Sequence, residues 1–385
     1  VQQTAILHGA FVKDAQLFDA DMFNISAAEA GAMDPQQRLL LEMGYASLHS
    51  SALRLSSLMG QDACMMVGVE EPEWQQVKAM IPSLQRAAYG MGDAMSVVAG
   101  RLSFVFGCHG PCTTVDAACA SALVALHSAA ASVRSGECSS GIAFGVSFKL
   151  LPYTTLAMSL VGVVSPDGRC KTFDARANGM CRAEGITAQF LSSQPGTTTS
   201  TILSGIAARH DGRSASLTAP SARAQQIMLK DAASLAGIST DSISCVQAHG
   251  TGTALGDPTE VSALAAVFGA ACATQMIVTS HKANVGHSEA PSGMIGLCKA
   301  QAALSQRTLT PNAHLRILGP ILAQNMMMIK QPFAIPVQNL KAIRPDHIGV
   351  TTMGHNGSIV HALSKDPEQL QTLTHRRKTG RLTFQ

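Results

Sequence analysis

The side chain with the clearest capacity for chemistry is the thiol of Cys119, which lies where a predicted strand meets a predicted helix. Residues 108–115 lead into a short buried strand, and residues 120–133 are rich in Ala and Leu with no Gly or Pro, which favours helix. Gly136 then ends the predicted helix. A thiol at a helix N-terminus faces unpaired backbone N–H groups, which favour the thiolate form, so Cys119 is a candidate nucleophile.

The position of Cys119 does not by itself establish a catalytic role. Free cysteine is among the most buried residue types, and the chain contains ten cysteines. A helix terminus stabilises a nearby charge by only about 0.3–1 kcal/mol, which is less than one pKa unit at about 1.4 kcal/mol per unit. A reactive thiol therefore requires a base or a cation from elsewhere in the chain.

Two later loops supply candidate partners for the thiol. A predicted strand over residues 243–249 delivers His249 to its carboxyl end, where sites of α/β proteins usually lie, and the Gly and Thr residues that follow let a ligand approach closely. Residues 281–289 place Lys282 and His287 in a loop before a predicted helix. Cysteine together with histidine is the general arrangement for covalent acyl transfer from thioesters.

Strands and helices are predicted to alternate along the chain. One helix begins with Asp34 as its N-cap and Pro35 at its first position. Further strands are predicted at residues 64–69, 141–148, 188–191, 202–208, 276–280, 348–353 and 358–363, and further helices at 222–236, 258–268 and 292–305. This alternation indicates an α/β architecture in which helices cover the sheets. The polar residues 365–385 are interpreted as a tail or linker.

Composition narrows the function classes. The net charge of +3 is too small to favour nucleic acid as a partner, and no apolar run reaches the roughly 18 residues of a membrane span. No signal peptide is recognised, and the irregular spacing of the cysteines favours a reducing, intracellular compartment over a disulfide framework. The segment Cys108–Cys112 lacks a second pair of ligands, so no metal site is predicted.

The motifs around Cys119, His249 and His287, in this order and spacing, resemble the β-ketoacyl synthase family, in particular the condensing domains of polyketide synthases and animal-type fatty acid synthases. The resemblance covers about residues 8–364 and extends to residues 8–11, 33–38, 99–103, 165–171, 173–175 and 182–185. It implies a thiolase-like fold of two similar α/β halves, at residues 1–200 and 201–364, packed as five layers αβαβα, and a homodimer.

The resemblance assigns roles to the residues that match the family's catalytic motifs. Cys119 would be the nucleophile that accepts the acyl chain. His249 and His287 would bind the malonyl thioester carbonyl and assist decarboxylation, and Lys282 would support the second histidine, His287. These roles imply a decarboxylative Claisen condensation, and therefore an acyltransferase.

Two further motifs are assigned in the same way. The turn from Gly354 to Gly357 matches the glycine-rich loop beside the cysteine, so the backbone N–H groups of Cys119 and His355 would form the oxyanion hole. Thr251 and Thr253 match the threonines that hydrogen-bond the pantetheine arm of the carrier.

The resemblance also implies how substrates arrive. No resident cofactor is expected, because both substrates would be carried on the phosphopantetheine of an acyl carrier protein. The 385 residues contain neither a carrier serine motif nor an acyltransferase elbow, so the carrier and the malonyl-loading acyltransferase are expected elsewhere. Cytoplasm and plastid are not distinguished by the sequence.

The chain departs from the family pattern around the nucleophile and in the glycine-rich loop, whose aromatic residues form a gate in the family. Residues 117, 120 and 122 are Ala where Thr, Ser and Ser are usual, and Gln247 and Pro291 replace the common Glu and Ala. The glycine-rich loop usually reads Phe-Gly-Phe, whereas in this chain it reads Met353-Gly354-His355. The sequence therefore does not predict which acyl chains are selected. The strand and helix with which family members usually open have no match here, so we expect either that Gln3–His8 fills the place of that strand or that the isolated chain folds poorly.

Other functions compete with elongation. A thiolase would use a second cysteine and different glycine motifs, and a chain-initiating synthase of the Cys-His-Asn kind would lack the motif of His287. The serine elbow of an acyltransferase is only superficially matched at Ser288, because Ala290 replaces the required Gly. A non-elongating transacylase, acting as a gatekeeper, or a structural partner remains the principal alternative.

Overall fold

The alternation of strands and helices is present in the computed structural model, which describes residue 6 and residues 8–70, 72–81, 92–194, 201–269, 275–327, 333–342, 345–367 and 382–384. The strands are β1 (Ala63–Val69), β2 (Cys112–Val115), β3 (Ser140–Ser147), β4 (Gly185–Ser192), β5 (Thr201–His210), β6 (Ile243–Gln247), β7 (Met276–Thr279), β8 (Thr308–Leu309), β9 (Phe333–Ala334), β10 (Leu340–Lys341), β11 (His347–Met353), β12 (Ser358–Lys365) and β13 (Leu382–Phe384). The helices are α1 (Ala27–Ala32), α2 (Pro35–Ser50), α3 (Trp74–Met80), α4 (Met95–Phe106), α5 (Ser121–Ser135), α6 (Tyr153–Leu160), α7 (Ala222–Ala236), α8 (Gly256–Phe268), α9 (Lys282–Val285), α10 (Ser292–Gln306) and α11 (Pro320–Met327).

Local sequence features determine where the helices begin and end. Asp34 caps α2, since its Oδ1 accepts a 2.7 Å hydrogen bond from the backbone N–H of Gln36, and Pro35 occupies the first position. Gly136 ends α5 in the left-handed conformation, with φ of +79°. These boundaries confirm the predicted start at Asp34 and the predicted stop at Gly136. None of the helices among the described residues is long and apolar enough to cross a membrane.

Eleven strands form one mixed sheet in the order β2-β1-β3-β4-β13-β5-β12-β11-β6-β7-β9. Strands β2, β1 and β3 are mutually parallel and β4 is antiparallel to β3. The other side repeats this pattern, because β7, β6 and β11 are parallel and β12 is antiparallel to β11. The same four-strand arrangement is therefore built twice, once on each side of β13.

Strand β13 corrects the interpretation of the C-terminal residues as a polar tail or linker. Residues 382–384 pair antiparallel with both β4 and β5, while residues 368–381 and 385 lie outside the described residues. In the first arrangement β13 lies beside β4. In the second arrangement β5 occupies the equivalent position, beside β12. The segment Gln3–His8, expected in this place, lies largely outside the described residues. The three residues Leu-Thr-Phe suit a strand between two open hydrogen-bonding edges.

Three apolar clusters show that helices and sheet alternate in five layers. One cluster joins α5 and α10 to residues of β1, β3, β11 and β12, so these two helices lie between the two parts of the sheet. A second packs α2 and α4 on the outer face of β1 and β3, and a third packs α7 and α8 on the outer face of β5 and β6. The order αβαβα is the order that the resemblance implied.

Gly68 in β1 packs directly against the N-terminus of α5. A Cβ atom added there would lie 2.4 Å from the backbone N of Ala122 and 2.5 Å from the carbonyl oxygen of Ser121. Both neighbours are backbone atoms, so neither can move aside as a side chain could. Glycine at this position therefore fixes the distance between β1 and the helix that follows Cys119.

We expect Gly68→Ala to lower the free energy of unfolding by about 1–3 kcal/mol, because the added methyl group overpacks a backbone contact. The melting temperature measured by calorimetry checks this. Gly100→Ala is the matched control, since no heavy atom lies within 4 Å of an added Cβ in the middle of α4, and it should leave the melting temperature equal or slightly higher. Equal effects of the two substitutions would contradict the proposed constraint.

Candidate active site

Cys119 lies in a one-turn 3-10 helix, Ala118–Ala120, between β2 and α5. Ala118 adopts a left-handed conformation with φ of +51°, a strained backbone for a residue with a side chain. The Ser121 hydroxyl accepts a 2.8 Å bond from the N–H of Ala117 and donates a 2.6 Å bond to the carbonyl oxygen of Ala118. Asp116 Oδ1 also accepts from the N–H of Ala118, at 2.9 Å. These bonds hold the strained turn that presents the thiol.

His287 is the group nearest to the thiol. Its Nε2 lies 3.0 Å from Cys119 Sγ, and both side chains are buried. The backbone of His287 is held on both sides, because its N–H donates to the carbonyl oxygen of Cys181 at 2.8 Å and its carbonyl oxygen accepts from the N–H of Ala183 at 2.9 Å. His287 is therefore in position to exchange a proton with Cys119.

His249, which lies just beyond the carboxyl end of β6, is the third side chain of the site. Its Nδ1 accepts a 3.2 Å bond from the N–H of Met353, so the neutral ring carries its proton on Nε2. The ring of His249 lies edge-on to that of His287, with centroids 5.4 Å apart and an angle of 85° between the planes. The buried Glu260 carboxylate fixes the backbone by accepting from the N–H groups of His249 (2.7 Å) and Gly250 (2.9 Å).

Lys282 lies beside His249, which corrects the expectation that it supports His287. Its Nζ is 3.4 Å from Nδ1 of His249, and the side chain is buried. The spacing of Lys282 and His287 in the sequence could not reveal this, because the short helix α9 and the left-handed Gly286, with φ of +82°, separate the two residues. Burial lowers the pKa of Lys282 to about 8, and Glu260 opposes that shift.

Burial decides the charge state of the nucleophile. It raises the pKa of the Cys119 thiol, and the nearby Glu70 and Glu289 raise it further. Burial, with Lys282 adding to it, holds the pKa of His287 well below its usual value. The expected preference for thiolate at a helix terminus is therefore overturned, since desolvation exceeds the small effect of the helix. The resting pair is a neutral thiol beside a neutral imidazole.

The glycine-rich loop packs directly against the turn that carries the nucleophile. A Cβ added to Gly354 would lie 2.4 Å from the carbonyl oxygen of Ala117, so only glycine fits there. On the adjoining strand, the Thr352 hydroxyl donates a 2.7 Å bond to the carbonyl oxygen of Cys119. Within the described part of the chain, the N–H groups of Cys119 and His355 donate no hydrogen bond. Gly357 closes the turn, donating to the carbonyl oxygen of Gly354 at 3.0 Å.

Thr251 and Thr253 lie together at the start of the loop that precedes α8. Their hydroxyl oxygens are 3.1 Å apart. The N–H of Gly252 donates to Asp257 Oδ1 at 3.0 Å, which holds the loop to the first turn of α8. Thr253 also lines a cavity of about 210 Å³ together with Asp174.

A second cavity, of about 590 Å³, borders the nucleophile turn and the glycine-rich loop at Ala118 and His355. Its lining includes Glu70, Lys149 and Arg182, the residues that sequence reasoning did not bring to the site. Glu70 follows the apolar strand β1 directly and Lys149 follows β3 by two residues. The one sequence feature that could have revealed them is a charged residue at the carboxyl end of each parallel strand.

The cysteines away from the site show no catalytic arrangement. Cys112 is exposed and Cys108 is buried, and no group of three potential ligands with metal-binding geometry occurs among the described residues. Cys272 lies outside the described residues.

Comparison with known proteins agrees with this geometry. The family descriptions "Beta-ketoacyl synthase, N-terminal domain" and "Beta-ketoacyl synthase, C-terminal domain" match residues 2–195 and 200–316. A phenolphthiocerol/phthiocerol polyketide synthase of Mycobacterium tuberculosis is 38% identical over 94% of this chain and 24% of its own length. 6-Methylsalicylic acid synthase of Aspergillus niger is 36% identical over 92% of this chain and 20% of its own length.

Solved ketosynthase structures share the fold. The ketosynthase from module 6 of the bacillaene synthase of Bacillus subtilis 168 is 28% identical, with a TM-score of 0.83 over 92% of this chain and 62% of that one. An oxazolomycin ketosynthase domain of Streptomyces albus is 26% identical, with a TM-score of 0.85 over 93% of this chain and 65% of that one. The chain spans less than a quarter of either of the two polyketide-type synthases named above, and it belongs to the β-ketoacyl synthase family.

Proposed function

We propose that this chain catalyses the decarboxylative Claisen condensation of a Cys119-bound acyl group with a malonyl group on an acyl carrier protein. The observation that carries the proposal is the convergence of Cys119, His287 and His249 in one buried site, with 3.0 Å between Cys119 Sγ and His287 Nε2. The lysine beside His249 and the glycine-rich loop against the nucleophile turn complete the arrangement.

The first step is transfer of the acyl group to Cys119. The sulfur attacks the carbonyl carbon of an acyl thioester while His287 Nε2 takes the thiol proton, which the neutral imidazole can accept. The backbone N–H groups of Cys119 and His355 donate to the oxyanion as it forms. Both groups are available for this, since neither donates a hydrogen bond to any described residue. The carrier thiolate then leaves and recovers the proton from His287.

The second step forms the carbon–carbon bond. A malonyl thioester loses carbon dioxide, and the electrons of the broken bond form an enolate whose oxygen accepts a hydrogen bond from the Nε2–H group of His249, the ring whose Nδ1 is already occupied by the N–H of Met353. The buried Lys282 ammonium, 3.4 Å from His249 Nδ1, favours this electron-rich state. The enolate carbon attacks the acyl group on Cys119, and the thiolate that leaves takes up one proton from solvent water, which balances the carboxylate lost as carbon dioxide.

The remaining parts of the proposal concern partners. Thr251 and Thr253 are proposed to hydrogen-bond the pantetheine arm, and their hydroxyl groups face each other at 3.1 Å. An acyl carrier protein is then the macromolecular partner, a malonyl-loading acyltransferase supplies the extender unit, and the phosphopantetheine belongs to the carrier. We also propose the division at about residue 200 into two halves and a homodimeric assembly.

Loading of Cys119 is the first prediction. Incubation with an acyl N-acetylcysteamine thioester should add one acyl mass to the intact protein, and Cys119→Ala should abolish the gain. Cys112→Ala, which removes an exposed cysteine, should retain it. Addition of malonyl-carrier protein should then release a β-ketoacyl product, as measured by mass spectrometry. Loading without release would instead identify a transacylating gatekeeper, and no loading of folded protein would refute the nucleophile.

Lys282→Met should slow release of carbon dioxide from malonyl-carrier protein on the order of 100-fold, because an electrostatic group beside the enolate site is removed. Loading of Cys119 should fall much less, since Lys282 Nζ contacts the ring of His249 and not the thiol. Lys299→Met is the control, because Lys299 is a partly buried lysine whose Nζ contacts Asn284 at 3.3 Å. Equal losses of loading and decarboxylation in Lys282→Met would indicate a structural defect.

The reactivity of Cys119 toward iodoacetamide should rise continuously between pH 7 and pH 9. The pKa of the thiol is raised above its usual value, so the thiolate fraction increases with each added pH unit over this interval. Peptide mass spectrometry separates this site from the exposed Cys112. A plateau of the Cys119 rate already below pH 8 would show a stable thiolate–imidazolium pair and contradict the neutral resting state.

A further inference from the structure

Glu289, two residues after His287, combines a buried carboxylate with a strained backbone. Its φ of +60° lies in the left-handed region, where a residue with a side chain is uncommon. Such strain persists only where the surrounding structure holds it, and it is concentrated at functional sites. The contacts of Glu289 therefore show what the strained turn holds in place.

Two cations hold the carboxylate of Glu289. Arg182 binds it through two bonds, Nε to Oε1 at 2.6 Å and Nη2 to Oε2 at 2.9 Å, and Lys149 Nζ binds it as well. Burial raises the pKa of Glu289, but the two cations outweigh burial and hold that pKa well below its usual range. The carboxylate is therefore an ionised anchor, and its two parallel bonds to a planar guanidinium fix its orientation as well as its position.

The same short segment of chain holds both this anchor and His287. The backbone on either side of Arg182 pairs with His287, through the carbonyl oxygen of Cys181 and the N–H of Ala183. The side chain of Arg182 reaches two residues further, to Glu289. The backbone pairing and the ion pair together fix the path of the chain from His287 to Glu289.

Beyond Glu289 the chain joins the helix that follows the nucleophile. The carbonyl oxygen of Ala290 accepts a 3.1 Å bond from the N–H of Ala122, in the first turn of α5 and three residues after Cys119. The turn at Glu289 thus connects the backbone of the histidine to the backbone beside the thiol, and its shape sets the distance between them.

The ring of His287 depends on this backbone for its placement. Nδ1 of His249 accepts a bond from the N–H of Met353, whereas Nδ1 of His287 has no hydrogen-bond partner among the described residues. The orientation of a histidine is commonly set by the bond that its second nitrogen makes. Because the second nitrogen of His287 makes none there, the backbone has to keep Nε2 at 3.0 Å from Cys119 Sγ.

We propose that Glu289 is a positioning residue for His287. Its carboxylate, bound by Arg182 and Lys149, fixes the turn that keeps the imidazole at proton-transfer distance from Cys119. Glu289 touches no substrate and acts on loading of the thiol through the histidine. The proposal rests on the proposed function, because it gives the thiol proton to His287, but the placement of the ring is measurable without any reaction.

The double substitution Arg182→Met/Glu289→Gly, hereafter the released variant, removes the anchor and leaves no isolated charge buried. Lys149 keeps Glu70 as its partner, at 3.5 Å. Glycine adopts the left-handed conformation without strain, so the released variant should melt close to the wild-type temperature.

Histidine NMR measures the placement of the ring. The ¹³C signal of His287 Cε1, assigned by its loss in His287→Gln, should shift when Cys119→Ala is introduced into the wild type, because the thiol contacts the ring. In the released variant the His287 signal should itself move, and addition of Cys119→Ala should then change it little.

Kinetics give the second readout. Loading from a saturating acyl N-acetylcysteamine thioester should slow about 100-fold in the released variant, the loss that a misplacement of about 1 Å can cause. The thioester concentration at half-saturation should stay the same, and release of carbon dioxide, which is proposed to depend on His249, should fall much less. The control Lys78→Met/Asp93→Asn removes a 2.7 Å ion pair between α3 and the segment before α4, and it should change neither rate nor the NMR signal.

An unmoved His287 signal in the released variant, with its response to Cys119→Ala intact, would overturn the proposal. Equal losses of loading and of carbon dioxide release, accompanied by a lower melting temperature, would also overturn it, because Glu289 would then serve the fold and not the ring. Failure of the wild type to load would refute the proposed function instead, and the NMR comparison would still decide the placement of His287.

Discussion

The exclusion of water from the thiol, the two imidazoles and the lysine is the constraint on which the rest of the site depends. In water the charges of these groups would be set by their ordinary pKa values, whereas burial here keeps Cys119, His249 and His287 neutral. The proton must therefore pass between groups within hydrogen-bond distance, and the 3.0 Å contact of Cys119 with His287 provides that distance. Fixed dipoles and one buried cation then replace water as the environment for developing negative charge.

The same dry interior explains the strained and close-packed positions around the nucleophile. Ala118 adopts its left-handed conformation because Ser121 and Asp116 bind its backbone from both sides. Gly68 brings β1 against Ser121 and Ala122 at the start of α5, and Gly354 brings the glycine-rich loop against Ala117. Each of these features costs conformational freedom or strain, and each is offset by packing of α5 and α10 between the two parts of the sheet.

Sequence patterns predicted the elements that carry their own local determinants. The cap at Asp34, the stop at Gly136 and the apolar strand β1 follow from residues within a few positions of each boundary. The motifs also brought Cys119, His249, His287 and Lys282 into one site. What the sequence did not show depends on distant contacts: the charge state of Cys119, the pairing of Lys282 with His249, the strand β13, and the approach of Glu70 to Lys149 across two strand ends.

The doubled strand pattern has a consequence for how the site is composed. Strand β1 corresponds to β6, β2 to β7 and β3 to β11, so the residues that follow them correspond as well. Glu70 thus stands opposite His249, the Cys119 turn opposite the segment that carries Lys282 and His287, and Lys149 opposite the glycine-rich loop. The two corresponding sides of the site therefore carry unlike chemistry: one side carries the thiol of Cys119 with Glu70 and Lys149, and the other carries the two imidazoles.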